Sequence, residues 1–401
     1  MNFIPLRAYA TIPDMINDIF GTNFPSVIIN TYGFFVALGF MAAAVLAYKE
    51  LKRRYELGYL QSYKTKNKEG EAPKVTDFLM PAFLGAFLGL KAGGVIRDGV
   101  EATLVGQDNA LNFIFSWEGS ALGAVLGFLA YVGYTYYDIK KKQLPEPKEV
   151  EVEVKPQDQI GSLVAVAAVT GVLGSNIFDM FQPGNSIGNL LADPTQLFSG
   201  LTIYGGLVFG ILGVLAYCKW AKLKPFMIFD SISIGYLLAY GIGRMGCHFS
   251  GDGDWGIVNT SPSPSWLPDY FWSNTYAHNV INAGLQIEGC IGDYCKELPQ
   301  GVWPTSIYEV VMCGILAGFM WSVRKKFTAA PGFMFMLLFV LNGIERYFIE
   351  IIRVTDRYEN FFNLTQAQII SIILIIVGIG GMIYLYQKHK TAIQAASFRG
   401  N

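Results

Sequence analysis

The chain has 401 residues, a mean hydropathy of +0.35 and only 15% charged residues, whereas a soluble domain usually carries about 25% charge. This composition excludes an ordinary soluble globular protein and favours a chain that lies mostly in lipid. The formal net charge of −1 says nothing about partners. No P-loop, Rossmann, zinc-type cysteine or nucleic-acid pattern occurs, so we expect no cofactor, no metal and no nucleic-acid partner.

Nine apolar stretches are long enough to cross a bilayer, which takes about 20 residues in a helix. The sequence therefore predicts an all-α polytopic membrane protein that forms one membrane domain over residues 1–401. The first 20 residues lack a basic region followed by an apolar run, so we do not expect a cleavable signal peptide. The predicted spans are 27–48, 77–96, 113–136, 160–181, 200–218, 226–248, 304–323, 332–352 and 364–386.

The distribution of Lys and Arg predicts the orientation. With the N-terminus outside, the inner loops and the C-terminal tail hold 22 of the 30 Lys and Arg residues, and the outer parts hold five. Such an imbalance indicates that the basic loops are cytoplasmic. We therefore predict an outer N-terminus and a cytoplasmic C-terminus.

Two connections and one repeat organise the chain. Segment 77–136 resembles segment 160–217 at a spacing of about 83–85 residues, which predicts a duplicated helical hairpin whose first copy is the insertion. Segment 249–303 is too long for a turn, and we predict an extracytoplasmic arm. Within it, Cys290 and Cys295 could form a disulfide in an oxidising compartment. The inner stretch EPKEVEVEVKPQDQ is predicted to be a solvated linker.

Polar and charged residues fall near the outer ends of the predicted helices. A charged side chain costs roughly 2.5–3.5 kcal/mol at a helix centre, so such residues usually face the bundle interior and mark a site. Two alternatives stay open: Arg346 and Glu350 could simply pair along one helix, and Arg244 could extend to the headgroups. The residues concerned are Tyr32, Tyr204, Arg244, His248, Tyr308, Glu309, Arg346, Glu350 and Arg353.

Four sequence blocks together resemble the prolipoprotein diacylglyceryl transferases. They are TYGFFVALGF, LTIYGGLVFG, GIGRMGCHFSGDGDWG, and PTSIYE followed by RYFIEIIR. The resemblance implies a core of seven transmembrane helices, to which this chain adds a hairpin, with a site open to the outer leaflet. It also implies that the diacylglyceryl group of phosphatidylglycerol moves to the lipobox cysteine of a prolipoprotein signal peptide. A thioether forms, glycerol phosphate leaves, and the expected location is the inner membrane of a bacterial cell.

The resemblance also assigns roles to individual positions. The family's signature arginine falls on Arg244 and its later arginine on Arg346, and we expect these two, together with Tyr204 and His248, to be catalytic. The expected substrate-binding residues are Tyr32, Gly205, Gly206, Asp252, Tyr308, Glu309, Glu350 and Arg353. Three positions depart from the family pattern. Cys247 replaces an Asn, Asp252 replaces the commoner Glu, and Tyr204 replaces a His.

The replacement by Tyr204 leaves the proton acceptor open. A thiol with a pKa of about 8.5 must lose its proton to attack carbon, and Tyr is a poor base near neutral pH. Tyr204 could only bind lipid, His248 could take the proton, or the leaving phosphate could do so. The alternative function is a lipid transporter or scramblase, because duplicated hairpins and Gly-rich helices are common there.

Overall fold

The computed structural model describes residues 7–24, 29–99, 118–180, 203–355, 357–358 and 362–399, and the fold is predominantly helical. Each of the nine predicted spans contains a helix within these ranges. The helices are α1 Ile12–Phe20, α2 Thr31–Glu56, α3 Val75–Asp98, α4 Ala121–Lys142, α5 Ile160–Asp179, α6 Ile203–Trp220, α7 Pro225–Ser250, α8 Asp269–Trp272, α9 Thr305–Val323, α10 Phe333–Ile349 and α11 Gln366–Arg399. Three two-stranded antiparallel sheets are β1 Tyr63–Glu69 with β2 Lys148–Val154, β3 Leu285–Gln286 with β4 Lys296–Glu297, and β5 Arg357–Tyr358 with β6 Leu364–Thr365.

Six of the described helices are long and apolar enough to cross a membrane. They lie at Thr31–Glu56, Val75–Asp98, Pro156–Asp179, Pro225–Ser250, Thr305–Val323 and Gln366–Gln394. Large apolar side chains on them stay exposed, among them Phe40 at 57% and Ile376 at 65%. Such surfaces suit lipid rather than water, so the protein is an all-α, multi-pass membrane protein.

Helices α2, α7, α9 and α10 form the centre of the bundle. Glycines let these helices approach closely, since a Cβ on Gly39 would lie 2.9 Å from the Ala239 carbonyl oxygen and one on Gly235 equally close to that of Ala43. Buried Leu237 and Met320 belong to the core between α7, α9 and α10. Helix α7 begins at Pro225, whose missing N–H would have no partner in the first turn of a helix. It ends at Ser250 and is capped by Gly251, which has φ +63°.

The two segments that we predicted to be duplicated hairpins each contain a closely packed helix pair. In α3–α4, Gly85 and Gly89 face Gly127 and Gly123, and any added Cβ would collide with backbone. In α5–α6, Gly174 faces Gly205 in the same way. The hairpins differ in their surroundings, because none of the described residues of α4 is buried, whereas α5 contributes Leu163 to a core with residues of α2 and α7.

The predicted solvated linker after α4 contains a strand. Residues 148–154 form β2, which pairs with β1 from the connection before α3. Lys64 binds Glu151 at 3.0 Å and Lys66 binds Glu149 at 3.3 Å across the strands. The alternating Glu and Val residues that read as a linker are therefore a period-two strand pattern, although its charged face is exposed as expected.

The predicted arm is a folded unit that begins where α7 ends. Cys290 and Cys295 form a disulfide with a Cα–Cα distance of 5.6 Å. The buried Asn279 side chain donates to the carbonyl oxygens of Tyr276, Ala283 and Lys296 and accepts from the Ala283 N–H at 2.7 Å. These bonds close the arm on itself and give it a defined shape.

The arm is also fastened to the end of α10. The Ile257 N–H donates to the Ile352 carbonyl oxygen at 2.8 Å, and the Gly256 N–H donates to that of Trp303, also at 2.8 Å. Gly256 and Arg353 form an isolated β-bridge. The arm therefore covers the end of the bundle at which α7 and α10 finish and α9 begins.

A charged cluster that the sequence did not predict closes the opposite end of the bundle. Glu50 binds Arg54 at 3.0 Å and Arg324 at 3.4 Å, and Arg54 lies 3.5 Å from Asp230. Asp230 also accepts the backbone N–H groups of Gly332 and Phe335. Arg54 and Asp230 have no exposed surface, so this opposite-end cluster ties α2, α7, α9 and α10 together.

Candidate active site

Arginines from three parts of the chain meet at the end of the bundle that the arm covers. Glu309, one turn into α9, is fully buried and lies between two of them. Its Oε2 is 3.1 Å from Arg244 Nε on α7, and its Oε1 is 3.3 Å from Arg346 Nη1 on α10. Tyr240 donates its hydroxyl to Glu309 at 2.9 Å and accepts from Arg244 at 3.0 Å. Glu309 thus fixes the positions of both arginines.

Two further carboxylates complete what we call the arginine cluster. Glu350 binds Arg346 at 2.8 Å, and Asp254, in the arm, binds both Arg244 and Arg353. The cluster comprises Arg244, Arg346, Arg353, Asp254, Glu309 and Glu350. The side chain of Arg244 is 14% exposed and that of Arg346 is 23% exposed, so part of each side chain remains open to a ligand while the carboxylates bound to it hold it in place.

The alternative in which Arg346 and Glu350 pair only along one helix is too simple. They do pair, but Arg346 also binds Glu309 on another helix. Arg244, likewise, does not extend freely toward headgroups, because Asp254, Glu309 and Tyr240 hold it. Both arginines face the interior of the bundle, as expected for a site.

Other expected site residues lie around the cluster with different neighbours. Tyr32 packs its backbone against Gly246 of α7, with its side chain 45% exposed. Tyr308 donates its hydroxyl to the Phe271 carbonyl oxygen at 2.9 Å and so anchors the arm. His248 is buried, with its Nδ1 3.1 Å from the Tyr276 hydroxyl, so its partner belongs to the arm.

The glycine block of α6 has a packing function in this structure. Gly205 lies against the backbone of Gly174, and Gly206 faces Ser175 and Gly171. These contacts explain why glycine is needed there without any ligand. The side chain of Tyr204, expected to be catalytic, lies outside the described residues, and its backbone lies in the first turn of α6.

Asp252 and Asp254 occupy contrasting electrostatic environments just beyond α7. Burial raises the pKa of Asp252. Burial also acts to raise the pKa of Asp254, but Arg244 and Arg353 outweigh it and hold that pKa below its usual value. The ionised form of Asp254 is therefore stabilised between two arginines, whereas Asp252 forms no ion pair with an arginine among the described residues.

Ligand atoms of Cys247, Asp252 and Asp254 lie within 4.8 Å of one another, which is close enough to meet one cation. Two guanidinium groups already bind Asp254, and their charge opposes a cation at this position. We therefore assign no metal to this group. The arrangement is suited to a phosphate, which matches planar arginine groups with paired hydrogen bonds.

Sequence reasoning missed three residues of the site. Tyr240 lies one turn before Arg244, a spacing that could have indicated the contact. Asp254 was noticed in the Gly-rich stretch but received no role. Glu345, next to Arg346, is fully buried, and neither of its carboxylate oxygens has a hydrogen-bond partner within the described part of the chain.

Fold and site together define a multi-pass membrane protein with an arginine-rich, phosphate-compatible site at one end of its helical bundle. Residues 115–384 match the prolipoprotein diacylglyceryl transferase family, and the chain belongs to that family. The match begins after α3, so Tyr32 and α2 lie outside it.

Curated relatives carry one name, phosphatidylglycerol–prolipoprotein diacylglyceryl transferase. The protein of Staphylococcus haemolyticus strain JCSC1435 is 27% identical over 238 residues, which cover 59% of this chain and 77% of that protein. Those of Staphylococcus epidermidis strain ATCC 12228 and Staphylococcus aureus strain MSSA476 are 27% and 28% identical, and each match covers 58% of this chain and 76% of the relative.

Proposed function

We propose that this protein transfers the diacylglyceryl group of phosphatidylglycerol to the lipobox cysteine of a prolipoprotein. The observation that carries the proposal is the arginine cluster, which lies at the arm-covered end of a membrane bundle and within the segment that matches the family. The product is a thioether, and glycerol phosphate is the leaving group. The substrates are phosphatidylglycerol, supplied by the bilayer, and the signal peptide of a prolipoprotein.

Arg244 and Arg346 bind the phosphate in this proposal. Both keep exposed surface, and both are held by the buried Glu309, so little reorganisation is needed when the ligand arrives. Negative charge develops on the oxygen that leaves with the phosphate, and pre-oriented donors stabilise such charge most in a water-poor site. Asp252, Glu350 and Arg353 border the same place, which supports their assignment to substrate binding.

The site faces the outer leaflet in this proposal, with nine membrane crossings and an outer N-terminus. Two independent features support that orientation. Lys and Arg concentrate in the connections at the opposite end of the bundle, and the disulfide lies in the arm, where an oxidising compartment would maintain it. A bacterial inner membrane has this arrangement.

The transporter or scramblase alternative is less well supported. Transporter sites lie near the bilayer midplane, between repeats. Here Gly85, Gly89, Gly174 and Gly205 of the two repeats are occupied in helix packing. The arginine cluster lies at one end, formed by helices outside the repeats. That position suits chemistry on a lipid headgroup.

One transfer assay tests the function. Purified protein is mixed with phosphatidylglycerol labelled in its diacylglyceryl part and with a lipobox peptide, and we expect label on the peptide cysteine. A peptide with serine at that position is the matched control and should stay unlabelled. Arg346→Ala should lower kcat/KM by about 100-fold or more, the scale for loss of one charge-stabilising donor. Absence of label with the wild-type protein would refute the function.

A further inference from the structure

The reaction needs a group that takes up the thiol proton, because the thiolate is the nucleophile. This need rests on the proposed function. Among the sequence-based candidates, His248 has its Nδ1 beside the Tyr276 hydroxyl. Most carboxylates of the site are also engaged: Asp254, Glu309 and Glu350 each bind arginine, and Asp252 accepts the backbone N–H of Asp254 at 3.3 Å. A proton on one of the paired carboxylates would weaken the ion pairs that hold the arginines in place.

Glu345 differs from these carboxylates. It lies on α10 immediately before Arg346, is 0% exposed, and makes no hydrogen bond through either oxygen within the described residues. No ion pair engages it there either, so its capacity to take up a proton is not reduced by a direct partner. Its electrostatic neighbours come from every surrounding element of the site: Tyr236, Tyr240 and Arg244 on α7, Glu309 and Cys313 on α9, Arg346 on α10, and Arg353 beyond α10.

The charge balance of the site favours a proton at this position. Three arginines face the carboxylates of Asp252, Asp254, Glu309, Glu345 and Glu350. An anionic phosphate adds another negative charge. A buried site with that excess of negative charge gains stability by taking up a proton. Glu345 has no hydrogen bond with the described residues, so it breaks none of them when it accepts the proton.

We infer that Glu345 is the proton acceptor of the transfer reaction. The S–H bond of the lipobox cysteine breaks, and its proton passes to the Glu345 carboxylate. The sulfur electron pair forms the new C–S bond at the glycerol carbon. The C–O bond to phosphate breaks, and its electron pair leaves on the phosphate oxygen, which Arg244 and Arg346 stabilise. Glu345 then returns the proton to the departing glycerol phosphate.

The full burial of Glu345 sets a condition on this step. Because the side chain has no exposed surface, the bundle must open around it when the substrates bind.

The experiment compares two acceptor peptides, one with cysteine and one with selenocysteine. A selenol is ionised at neutral pH and needs no base, whereas a thiol does. We expect Glu345→Gln to lower kcat with the thiol peptide by about 100-fold, the low end for loss of a general base, and to leave transfer to the selenol peptide within threefold of wild type. Glu345→Asp should restore part of the thiol activity. Glu288→Gln, an exposed isosteric change in the arm, is the control.

The outcomes separate the alternatives. In Glu345→Gln, thiol transfer should recover as the pH rises toward the thiol pKa of about 8.5, because the substrate then ionises unaided. Equal losses with thiol and selenol would mean a structural role and would overturn the inference, as would normal thiol transfer. If the wild-type protein modified neither peptide, the proposed function itself would fail, which is a different result.

Discussion

Asp252 and Asp254 are two residues apart in the chain, yet their surroundings give them opposite effects on stability. Arg244 and Arg353 hold the pKa of Asp254 low, so this carboxylate stabilises the fold at neutral pH. Burial raises the pKa of Asp252, so its ionisation opposes folding. A single Gly-rich segment therefore contains one residue suited to structure and one suited to binding.

Matched Asn substitutions test this contrast. Asp254→Asn should lower the free energy of unfolding by about 2 kcal/mol, less than the 3–5 kcal/mol for a fully buried pair, because Asp254 is 26% exposed. Asp252→Asn should be neutral or stabilising at pH 7 but should reduce transfer. Thermal unfolding in detergent and the transfer assay measure the two effects. Equal destabilisation by both changes would contradict the assignment.

The pH dependence of these variants follows from the same shifts. The Asp254 pKa is lower in the folded protein, so its stabilisation is present above the ordinary Asp pKa of about 3.9 and disappears as the pH falls below it. The Asp252 pKa is higher in the folded protein, so wild type should lose stability relative to Asp252→Asn as the pH rises above about 3.9. Melting temperatures from pH 3 to pH 8 would measure both trends.

Residue identities could be predicted from the sequence more readily than residue roles. Arg244, Arg346 and Glu350 were expected in the site because charges are costly in lipid, and the structure brings them together. Glu309 was expected to bind substrate, but it is fully buried and binds two arginines. Its partners lie on other helices, and no local pattern in the sequence indicates them.

At the scale of elements, the two hairpins share a packing mode but differ in how they join the bundle. Strands β1 and β2 flank α3–α4 and pair over their full length, with Tyr63 opposite Val154. The chain thus leaves and rejoins the bundle at nearly the same point. This favours an insertion that extends over the strands as well as the predicted 77–136, whereas α5–α6 contacts the core through Leu163.

Deletion of the first hairpin tests this interpretation. Thr65 lies opposite Val152, so removing residues 66–151 and joining the two with Asn-Gly would form a two-residue hairpin turn. Because the deletion removes an even number of helices, we expect the remaining helices to keep their orientation in the membrane. We also expect the shortened protein to retain transfer within about threefold. The matched deletion of α5–α6 should abolish activity. Loss of transfer in the first deletion would show that the hairpin belongs to the working core.

Over the whole molecule, charged clusters close both ends of the central bundle. The arginine cluster keeps exposed arginine side-chain surface, whereas Arg54 and Asp230 in the opposite-end cluster have none. A ligand can therefore reach the arginine cluster directly, and the opposite-end cluster holds the helices in register. Breaking a buried pair of this kind typically costs 3–5 kcal/mol.

The orientation can be measured by labelling with a membrane-impermeant maleimide. Ser265→Cys in the arm and Lys66→Cys in β1 are both exposed. Each would be introduced together with Cys290→Ser and Cys295→Ser, which remove the two cysteines of the arm. The free cysteines Cys218, Cys247 and Cys313 can stay, because they are buried. Ser265→Cys should react in intact spheroplasts and Lys66→Cys only after permeabilisation. The reverse pattern would place the site on the cytoplasmic side and contradict the proposed function.

The sequence by itself determined an all-α, multi-pass membrane protein and the set of charged residues near one end of the bundle, and it predicts nine spans, a helical repeat and an orientation. These follow from local composition, because lipid requires long apolar helices and penalises unpaired charge. Only the tertiary structure decided which charges pair, that β1 and β2 pair on either side of α3–α4, and that Glu345 makes no hydrogen bond with the rest of the described residues. Those facts depend on residues far apart in the chain, so the distance between helices, and not any local pattern, decides them.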